Sequence, residues 1–337
     1  MITHESSLED YSSQLRYVLE NYTNHGVSAQ QIDQVIMGGL GGSGIGAAIV
    51  KGYYFDKFKL PIETVNDYHL PAYAGPRTLV ILNSYSGNTE ETLTMYGEAK
   101  AAGSKIITLA SGGKLQELAN ADGVICYPLQ TGFQPRMTIG FGLSYLSLII
   151  GELNGEDLRE EIGNIADELE SKQPHQIQSA KTIFNYFAGS LKNKFVILAD
   201  REMYPVAIRF SQQINENAKL EAFVHAIPES NHNVLESYTD RLPTNFIFLY
   251  TEQNPRVVAR FDFLSGHLEM DNNKVLPLVI PAYDLYTLYD IIYRTDWVSV
   301  MMANELGAPL MEVPMISNLK EFLSSVEEVD DEEEASA

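Results

Sequence analysis

A cluster of hydroxyl side chains follows the apolar run TLVILN. Ser84, Ser86 and Thr89 stand close together, with Gly87 between them. If the apolar run is a strand of a parallel sheet, this loop lies at its carboxyl end, where helix N-termini also converge. Hydroxyls, a glycine that permits close main-chain approach and the free N–H groups of a helix start together bind phosphate without arginine. The plainer alternative is a helix cap at Ser86 or Asn88, which needs only one such side chain.

A second small-residue turn, GGLGGSGIG at 38–46, occupies a similar setting earlier in the chain. It fits the pattern G-x-G-x-x-G, but no isolated acidic residue follows about 20 residues later, where the ribose of a dinucleotide needs one. It also lacks the Gly-Lys-Ser/Thr of a Walker loop. A second wall of the same anion site, with Gly42 and Ser43 facing the phosphate, agrees better with these residues.

A carboxylate and an imidazole stand out in the polar stretch 213–237. Glu216 lies within NENAK, and His232 lies within PESNHN. A carboxylate near a sugar carbon can act as a general base, and an imidazole can open a sugar ring by moving a proton to or from the ring oxygen. The structural alternative, in which one is a solvated helix acid and the other a turn residue, stays open for each residue taken singly.

Arg136, in QPRMTIGFG, directly precedes the most apolar helical segment of the first half. A guanidinium there can stabilise the negative charge that develops on an enediolate oxygen. The alternative is an ion pair with an acid at the helix start. His4 and the five other remaining histidines have no comparable polar neighbours in the sequence. No His, Cys, Asp or Glu cluster has metal-ligand spacing, so we predict no metal.

The elements that must position these residues alternate between strand and helix. Strands are predicted at 34–39, 62–67, 78–84, 105–111 and 123–129, and again at 194–200, 245–252 and 274–280, with helical patterns between them. Such alternation predicts the α/β class, with mainly parallel sheets flanked by helices in three αβα layers. Because the pattern restarts, we predict two similar domains, 1–152 and 153–325, followed by a disordered acidic tail at 326–337.

The two halves differ where function is expected. The counterpart of the hydroxyl loop in the second half reads YTEQNPRVVA, and the counterpart of the glycine turn reads ADREMYPVAIR. The second half has therefore lost both the glycines and the serines. Turn chemistry alone would use them equally in both copies, so the first half is predicted to hold the ligand.

Composition restricts the class of protein. The 337-residue chain is 45% hydrophobic and has a formal charge of −22, to which the run 327–334 contributes seven acids. An acidic body argues against broad nucleic-acid binding. No apolar run is long enough to span a membrane and no secretory signal is visible. The single cysteine, Cys126, fits a reducing compartment. We therefore expect a cytoplasmic protein without nucleic-acid or membrane partners.

With these motifs in hand, the sequence resembles the sugar isomerase (SIS) domain proteins, and more narrowly the bifunctional phosphoglucose/phosphomannose isomerases. The resemblance rests on GGLGGSGIG, SYSGNTEET, QPR, NENAK and PESNHN, which occur in the family's order between residues 30 and 325. SYSGNTEET alone indicates only an SIS domain, whereas NENAK followed by PESNHN is more specific. QPR departs slightly from the family's PPR.

The resemblance implies two SIS domains and the interconversion of glucose 6-phosphate or mannose 6-phosphate with fructose 6-phosphate, without a cofactor. It implies a homodimer with a shared active site, in which His232 opens the ring in the neighbouring subunit and Lys320, in a loosely matching segment, assists. Glu216 would carry the proton between C1 and C2 through a cis-enediol steadied by Arg136. The implied phosphate ligands are Ser43, Ser84, Ser86 and Thr89. Another phosphosugar as substrate, or a non-catalytic sugar-phosphate-binding protein, are the alternatives.

Overall fold

A computed structural model describes residues 2–238, 242–269 and 273–335, with the side chains of residue 324 and of 326–335 left out. In this part of the chain, nine parallel strands form two sheets. The strands are β1 Gln34–Gly38, β2 Ile62–Val65, β3 Thr78–Asn83, β4 Lys105–Ala110, β5 Ile125–Pro128, β6 Lys194–Ala199, β7 Ala222–Ala226, β8 Thr244–Thr251 and β9 Lys274–Ile280. The first sheet has the order β2-β1-β3-β4-β5 and the second the order β7-β6-β8-β9.

Helices connect the strands and cover both faces of each sheet. Their bounds are α1 His4–Glu9, α2 Tyr11–Asn21, α3 Gly41–Tyr53, α4 Glu90–Ala101, α5 Gly113–Asp122, α6 Ile139–Asn154, α7 Arg159–Phe187, α8 Tyr204–Gln213, α9 Pro255–Leu268, α10 Leu285–Leu306 and α11 Pro314–Ala335. None of these described helices combines the length and the apolar character that crossing a membrane needs.

The strands are buried on both faces, as their continuous apolar runs predict. In β3, Leu79 and Ile81 point into a large core that contains residues of both sheets. Val80 and Leu82 point the other way, into a smaller core with Met95 of α4. The large core also includes α3, α6, α8 and α10, so the two halves share one apolar interior.

The α/β class and the parallel sheets are confirmed, and the eight predicted strands are all present. The sequence patterns missed β7, because this edge strand is short and only partly buried, and Phe223 in it is exposed. The opening segment, whose apolar residues recur at helical spacing, forms two helices, α1 and α2, that are divided at Asp10. The domain boundary predicted at 152/153 falls within the last turn of α6. That boundary, and the disorder predicted for 326–337, stay predictions.

The topology directs attention to one edge of the first sheet. From β1 the chain crosses to β2 on one side and then to β3 on the other, so the connections after β1 and β3 diverge. A crevice forms where neighbouring connections leave a parallel sheet in opposite directions, and ligands bind there. The glycine turn follows β1 and the hydroxyl loop follows β3, so both line this crevice.

Candidate active site

The hydroxyl loop and the glycine turn are joined by hydrogen bonds at the carboxyl edge of the first sheet. Ser84 Oγ lies 2.8 Å from Thr89 Oγ1. Ser43 Oγ accepts a hydrogen bond from the Tyr85 N–H at 3.2 Å. The Ser43 carbonyl accepts one from the Asn83 side chain at 2.8 Å. Three of the predicted phosphate ligands therefore belong to one connected group.

Two helices begin beside this group without a side-chain cap. The N-cap residues are Leu40 for α3 and Thr89 for α4, and neither side chain accepts a hydrogen bond from its helix. The exposed Ser86 instead accepts the N–H of Asn88 at 3.2 Å. The first-turn N–H groups and the positive dipole ends of both helices are thus left for a ligand. The capping alternative does not describe this loop.

Close glycine contacts shape the hydroxyl loop against a turn that sequence reasoning missed. Gly87 has φ +68°, and a Cβ there would lie 1.9 Å from the Gly112 carbonyl oxygen. Gly113 has φ +71°, and a Cβ there would lie 2.4 Å from the Ser86 carbonyl oxygen. Ser111 Oγ donates to the Tyr85 carbonyl at 2.6 Å. This Ser-Gly-Gly turn follows β4. Its small residues directly after a predicted strand could have indicated that it belongs to the site.

Gly42 connects the anion site to Arg136. A Cβ on Gly42 would lie 2.6 Å from the Pro135 carbonyl oxygen and 2.9 Å from the Arg136 Cα. Only glycine therefore lets the first turn of α3 rest on the 3₁₀ turn Pro135–Met137. The predicted phosphate loops and the predicted arginine are adjacent for this reason.

Arg136 is buried and held in one orientation by partners from several elements. Its Nε donates to Asn217 Oδ1 at 2.9 Å, and its Nη2 donates to the Leu310 carbonyl at 2.7 Å. Its Nη1 lies 3.6 Å from Glu216 Oε2. Burial lowers the pKa of the guanidinium, and the Glu216 carboxylate opposes this shift. Since an unsatisfied buried donor costs about 1–3 kcal/mol, these partners fix the guanidinium plane.

Glu216 lies on a wide helical turn that separates three consecutive polar side chains. After α8 the chain forms the π-helical turn Ile214–Ala218 and ends it at Lys219, whose φ is +58°. Asn215 Oδ1 accepts the N–H of Ala222 and so fixes β7. Asn217 and Glu216 both contact Arg136, and the Glu216 side chain is 29% exposed. π-turns of this kind recur at functional sites.

A strap of three residues, 310–312, crosses the site between α10 and α11. The Leu310, Met311 and Glu312 carbonyls accept hydrogen bonds from Arg136, Gln134 and Lys219 at 2.7, 2.8 and 2.8 Å. The Lys219 ammonium also donates to the Glu216 carbonyl. Burial, and then the charge of Arg136, lower the pKa of Lys219. The side chains of QPR and NENAK thus hold the strap, a role that no local sequence pattern signals.

The two predicted ring-opening residues occupy exposed positions. His232 ends a short 3₁₀ turn, Glu229–His232, and Lys320 lies on α11. In this single chain, the contacts described above join Gly42, Ser43, Arg136 and Glu216 into one site, with Ser84 and Thr89 at its edge. They do not include His232.

His4 lies close to this site, contrary to what its sequence neighbours suggest. His4 lies on α1 and its side chain is fully buried. Helix α1 packs on the 3₁₀ turn that carries Arg136 and on α10. Burial, followed by the charges of Arg136 and Arg209, lowers the pKa of His4 to about 3. Its interaction with Asn217 opposes that shift. The neighbours of His4 are brought to it by tertiary packing, so its sequence context could not indicate them.

Within the described residues, no group of three or more His, Cys, Asp or Glu side chains is arranged to hold a metal ion. The charged groups of the site are instead a buried arginine, a partly exposed glutamate and a lysine at its rim. They suit anion binding and proton transfer.

Comparison with known proteins agrees with this arrangement. The bacterial phospho-glucose isomerase C-terminal SIS domain family matches residues 178–323. A bifunctional phosphoglucose/phosphomannose isomerase of Caldicellulosiruptor bescii is 32% identical, with 90% of this chain and 93% of that protein covered. A D-glucosamine-6-phosphate 4-epimerase of Sulfolobus acidocaldarius is 29% identical, with 84% and 87% covered.

Among solved structures, the C-terminal domain of glucosamine-fructose-6-phosphate aminotransferase from Francisella tularensis has a similar fold. Its TM-score is 0.70 at 14% identity, with 92% of this chain and 98% of that chain covered. That likeness concerns the fold alone. The sequence identity over almost the full length of the Caldicellulosiruptor protein goes further, and the chain belongs to the bifunctional phosphoglucose/phosphomannose isomerase family.

Proposed function

We propose that this protein interconverts glucose 6-phosphate, and mannose 6-phosphate, with fructose 6-phosphate. The observation that carries the proposal is the contact between Arg136 and Glu216, 3.6 Å apart, beside an uncapped pair of helix N-termini lined with hydroxyls. A base and an electrophilic partner next to an anion site are the parts that an aldose–ketose isomerase of phosphosugars needs.

The phosphate group binds at the crevice between the connections after β1 and β3. Ser43, Ser84, Ser86 and Thr89 supply hydroxyls, and Gly42 brings main-chain N–H groups of α3 close to the ligand. Neutral donors and helix dipoles suit this anion in an acidic protein, because they bind charge without a basic surface. The sugar then extends from the phosphate toward Arg136 and Glu216.

Glu216 acts as the base that moves one proton between adjacent carbons. It removes the proton from C2 of the open aldose, the electrons move to the C1 carbonyl oxygen, and a cis-enediol forms as that oxygen takes over the proton of the C2 hydroxyl, leaving the negative charge on the C2 oxygen. Glu216 then returns its proton to C1, the C2–O double bond forms, and the proton that stays on the C1 oxygen completes the ketose. Arg136 faces the carboxylate and stabilises the negative charge on the enediolate oxygens. Partial exposure of Glu216 lets substrate reach it.

Ring opening requires a proton donor and acceptor near the ring oxygen, and we assign this role to His232 and Lys320. Both are exposed on the single chain, which suits delivery of His232 into the site of a second copy. The exposed residues 314–323 of α11 support a homodimer. Cys126, as the one cysteine of the sequence, fits the reducing cytoplasm as its compartment.

A second candidate is a different reaction on a hexose phosphate. One relative is named a D-glucosamine-6-phosphate 4-epimerase, and it is nearly as similar as the named isomerases. The anion site would serve that substrate equally well, because it recognises the phosphate and not the rest of the sugar. The choice therefore depends on whether the reactive groups meet C1 and C2 of the sugar or its C4.

The test is an assay of the purified chain with glucose 6-phosphate, mannose 6-phosphate and glucosamine 6-phosphate. We expect fructose 6-phosphate from the first two, and a loss of kcat by about 100-fold or more in Glu216→Gln. Glu221→Gln, at a nearby exposed glutamate, is the matched control and should keep wild-type rates. Full turnover in Glu216→Gln would refute the assigned base, and product from the amino sugar alone would favour the second candidate.

A further inference from the structure

Helix α1 supports the proposed site from the side away from substrate. It packs on the 3₁₀ turn Pro135–Met137 and on α10. Glu5 accepts a hydrogen bond from Asn304 at the end of α10 at 2.7 Å. Gln14, in the first turns of α2, donates to the Met137 carbonyl at 2.8 Å. The first fourteen residues therefore anchor the turn that carries Arg136.

His4 is the residue of α1 whose side chain interacts electrostatically with Arg136 on this turn. It is 0% exposed, and among the described residues neither ring nitrogen makes a hydrogen bond of full geometry, although the Asn217 side chain lies near enough to interact with the ring. A buried polar ring with poorly satisfied nitrogens is costly and needs a physical explanation. The cations of Arg136 and Arg209 and the Asn217 amide are its electrostatic neighbours.

The neighbours of His4 form a second layer behind the proposed catalytic groups. Arg209 donates to the Arg136 carbonyl at 3.0 Å and pairs with Asp296. Asn217, which accepts from Arg136, donates to Ser299 at 2.9 Å. Each member of this layer fixes either the main chain or the side chain of Arg136.

We infer that His4 is a positioning residue for the isomerisation, because its buried ring supports Arg136 and Asn217 and so sets the guanidinium that faces Glu216. The inference rests on the proposed function. A neutral ring suits the neighbourhood of Arg136 and Arg209, where a third cation would push Arg136 away from its partners. An apolar side chain in this place would leave Arg136 and Asn217 without a polar neighbour on that side.

The test compares kcat and KM of the full chain in His4→Leu and His4→Gln. We expect His4→Leu to lower kcat by about 10- to 100-fold, because small misplacement of a catalytic group has effects of that size. KM for the hexose phosphate should change less than about threefold, because the phosphate loops are untouched. His4→Gln keeps a neutral donor and acceptor and should restore most of kcat.

His25→Gln is the matched control. His25 is also buried, but its ring contacts the Ile149 carbonyl and the Val27 N–H, away from the site. It should alter stability and leave kcat unchanged. Wild-type kcat in His4→Leu, or equal losses in His4→Leu and His25→Gln, would overturn the inference.

Two further outcomes remain separable. If His4→Leu does not fold, Asn304→Ala decides, because it loosens α1 at an exposed anchor. A lower kcat at constant KM supports the inference, and an unchanged kcat overturns it. If the wild type isomerises none of the tested sugars, the proposed function itself has failed. An active wild type with unaffected His4 variants removes only the inference about His4.

Discussion

At the residue scale, one buried arginine gathers most of the site. Its guanidinium contacts Asn217 of the π-turn, the Leu310 carbonyl of the strap and the carboxylate of Glu216, the proposed base. Its carbonyl accepts hydrogen bonds from Arg209 and Gln213. A planar fork with several donors can satisfy such a set, whereas a lysine presents a single ammonium. The residue type at this position is therefore dictated by geometry as well as by charge.

His4 makes the stability of the protein depend on pH in a direction that can be worked out. Its pKa is lowered from 6.5 to about 3, by burial and then by Arg136 on the 3₁₀ turn and Arg209 on α8. Arg209 is paired with Asp296 of α10. Between pH 6.5 and about 3 the unfolded chain binds a proton at His4 and the folded chain does not. The free energy of unfolding therefore falls as the pH falls through this window.

We expect His4→Gln to remove this part of the acid sensitivity. Each pH unit within the window contributes about 1.4 kcal/mol, so between pH 7.5 and 5 the wild type should lose about 2 kcal/mol more than the variant. Urea unfolding at the two pH values measures the difference. Equal losses in both proteins would show that the His4 ring takes up its proton normally in the folded state.

At the element scale, the proposed anion site depends on close contact between the hydroxyl loop and the turn after β4, which glycines make possible. Gly87→Ala would place a Cβ 1.9 Å from a main-chain oxygen of Gly112, at φ +68°. The hydroxyl loop must then move away from the turn after β4, and the donors for phosphate separate. We expect KM for the hexose phosphate to rise about tenfold or more, with a smaller change in kcat. Steady-state kinetics on purified protein check this.

Gly97→Ala provides the control on the neighbouring helix. Gly97 lies in α4, is exposed, and has no atom within 4 Å of a Cβ built on it. Alanine there should stabilise the helix by about 0.5–1 kcal/mol and leave KM unchanged. A wild-type KM in Gly87→Ala would mean that the phosphate does not bind against this loop.

Sequence patterns singled out the parts of the candidate site that local chemistry determines. The proposed phosphate loops stand out because their small residues are consecutive and follow strong apolar strands. The strand β7 was missed because its short run AFVHA alternates weakly and lies at a sheet edge. The strap at 310–312 could not be predicted, because it uses main-chain carbonyls that any residue provides. His4 meets Arg136 only through tertiary packing across more than 130 residues.

At the scale of the whole molecule, the two sheets repeat one topology with different contents. β6 and β8 stand in the second sheet where β1 and β3 stand in the first. At the end of β6, the buried Asp200 accepts the N–H of Met203 at 2.9 Å and the N–H of Thr251 at 2.6 Å. The second crevice thus contains its own carboxylate. A carboxylate there disfavours an anion, in agreement with the absence of the serines and glycines from the two corresponding loops of the second half.

Helix α11 leaves an apolar stripe uncovered on the single chain. Its members recur at helical spacing, and all are exposed: Met315, Ile316, Leu319, Phe322 and Leu323. A stripe of this kind marks an interaction surface. Lys320 lies beside it, so a second copy that covers the stripe would also enclose a proposed ring-opening group.

We expect the wild type to form a dimer of the 37.6 kDa chain, and Leu319→Glu with Phe322→Glu to make it monomeric. Buried carboxylates in an apolar contact are costly, so the contact should be lost. Light scattering after gel filtration measures the mass, and the hexose phosphate assay measures kcat in the same fractions. If His232 reaches the neighbouring site, kcat should fall together with the dimer.

Ser317→Glu separates the effect of the stripe from that of added charge. Ser317 is exposed on α11, two residues from Met315 and Leu319, and so projects from the opposite side of the helix. It should leave both mass and kcat unchanged. A dimer that survives the double substitution would move the interface away from α11. A monomer with wild-type kcat would instead show that each chain opens the sugar ring with its own residues, because activity would then persist without the neighbouring chain.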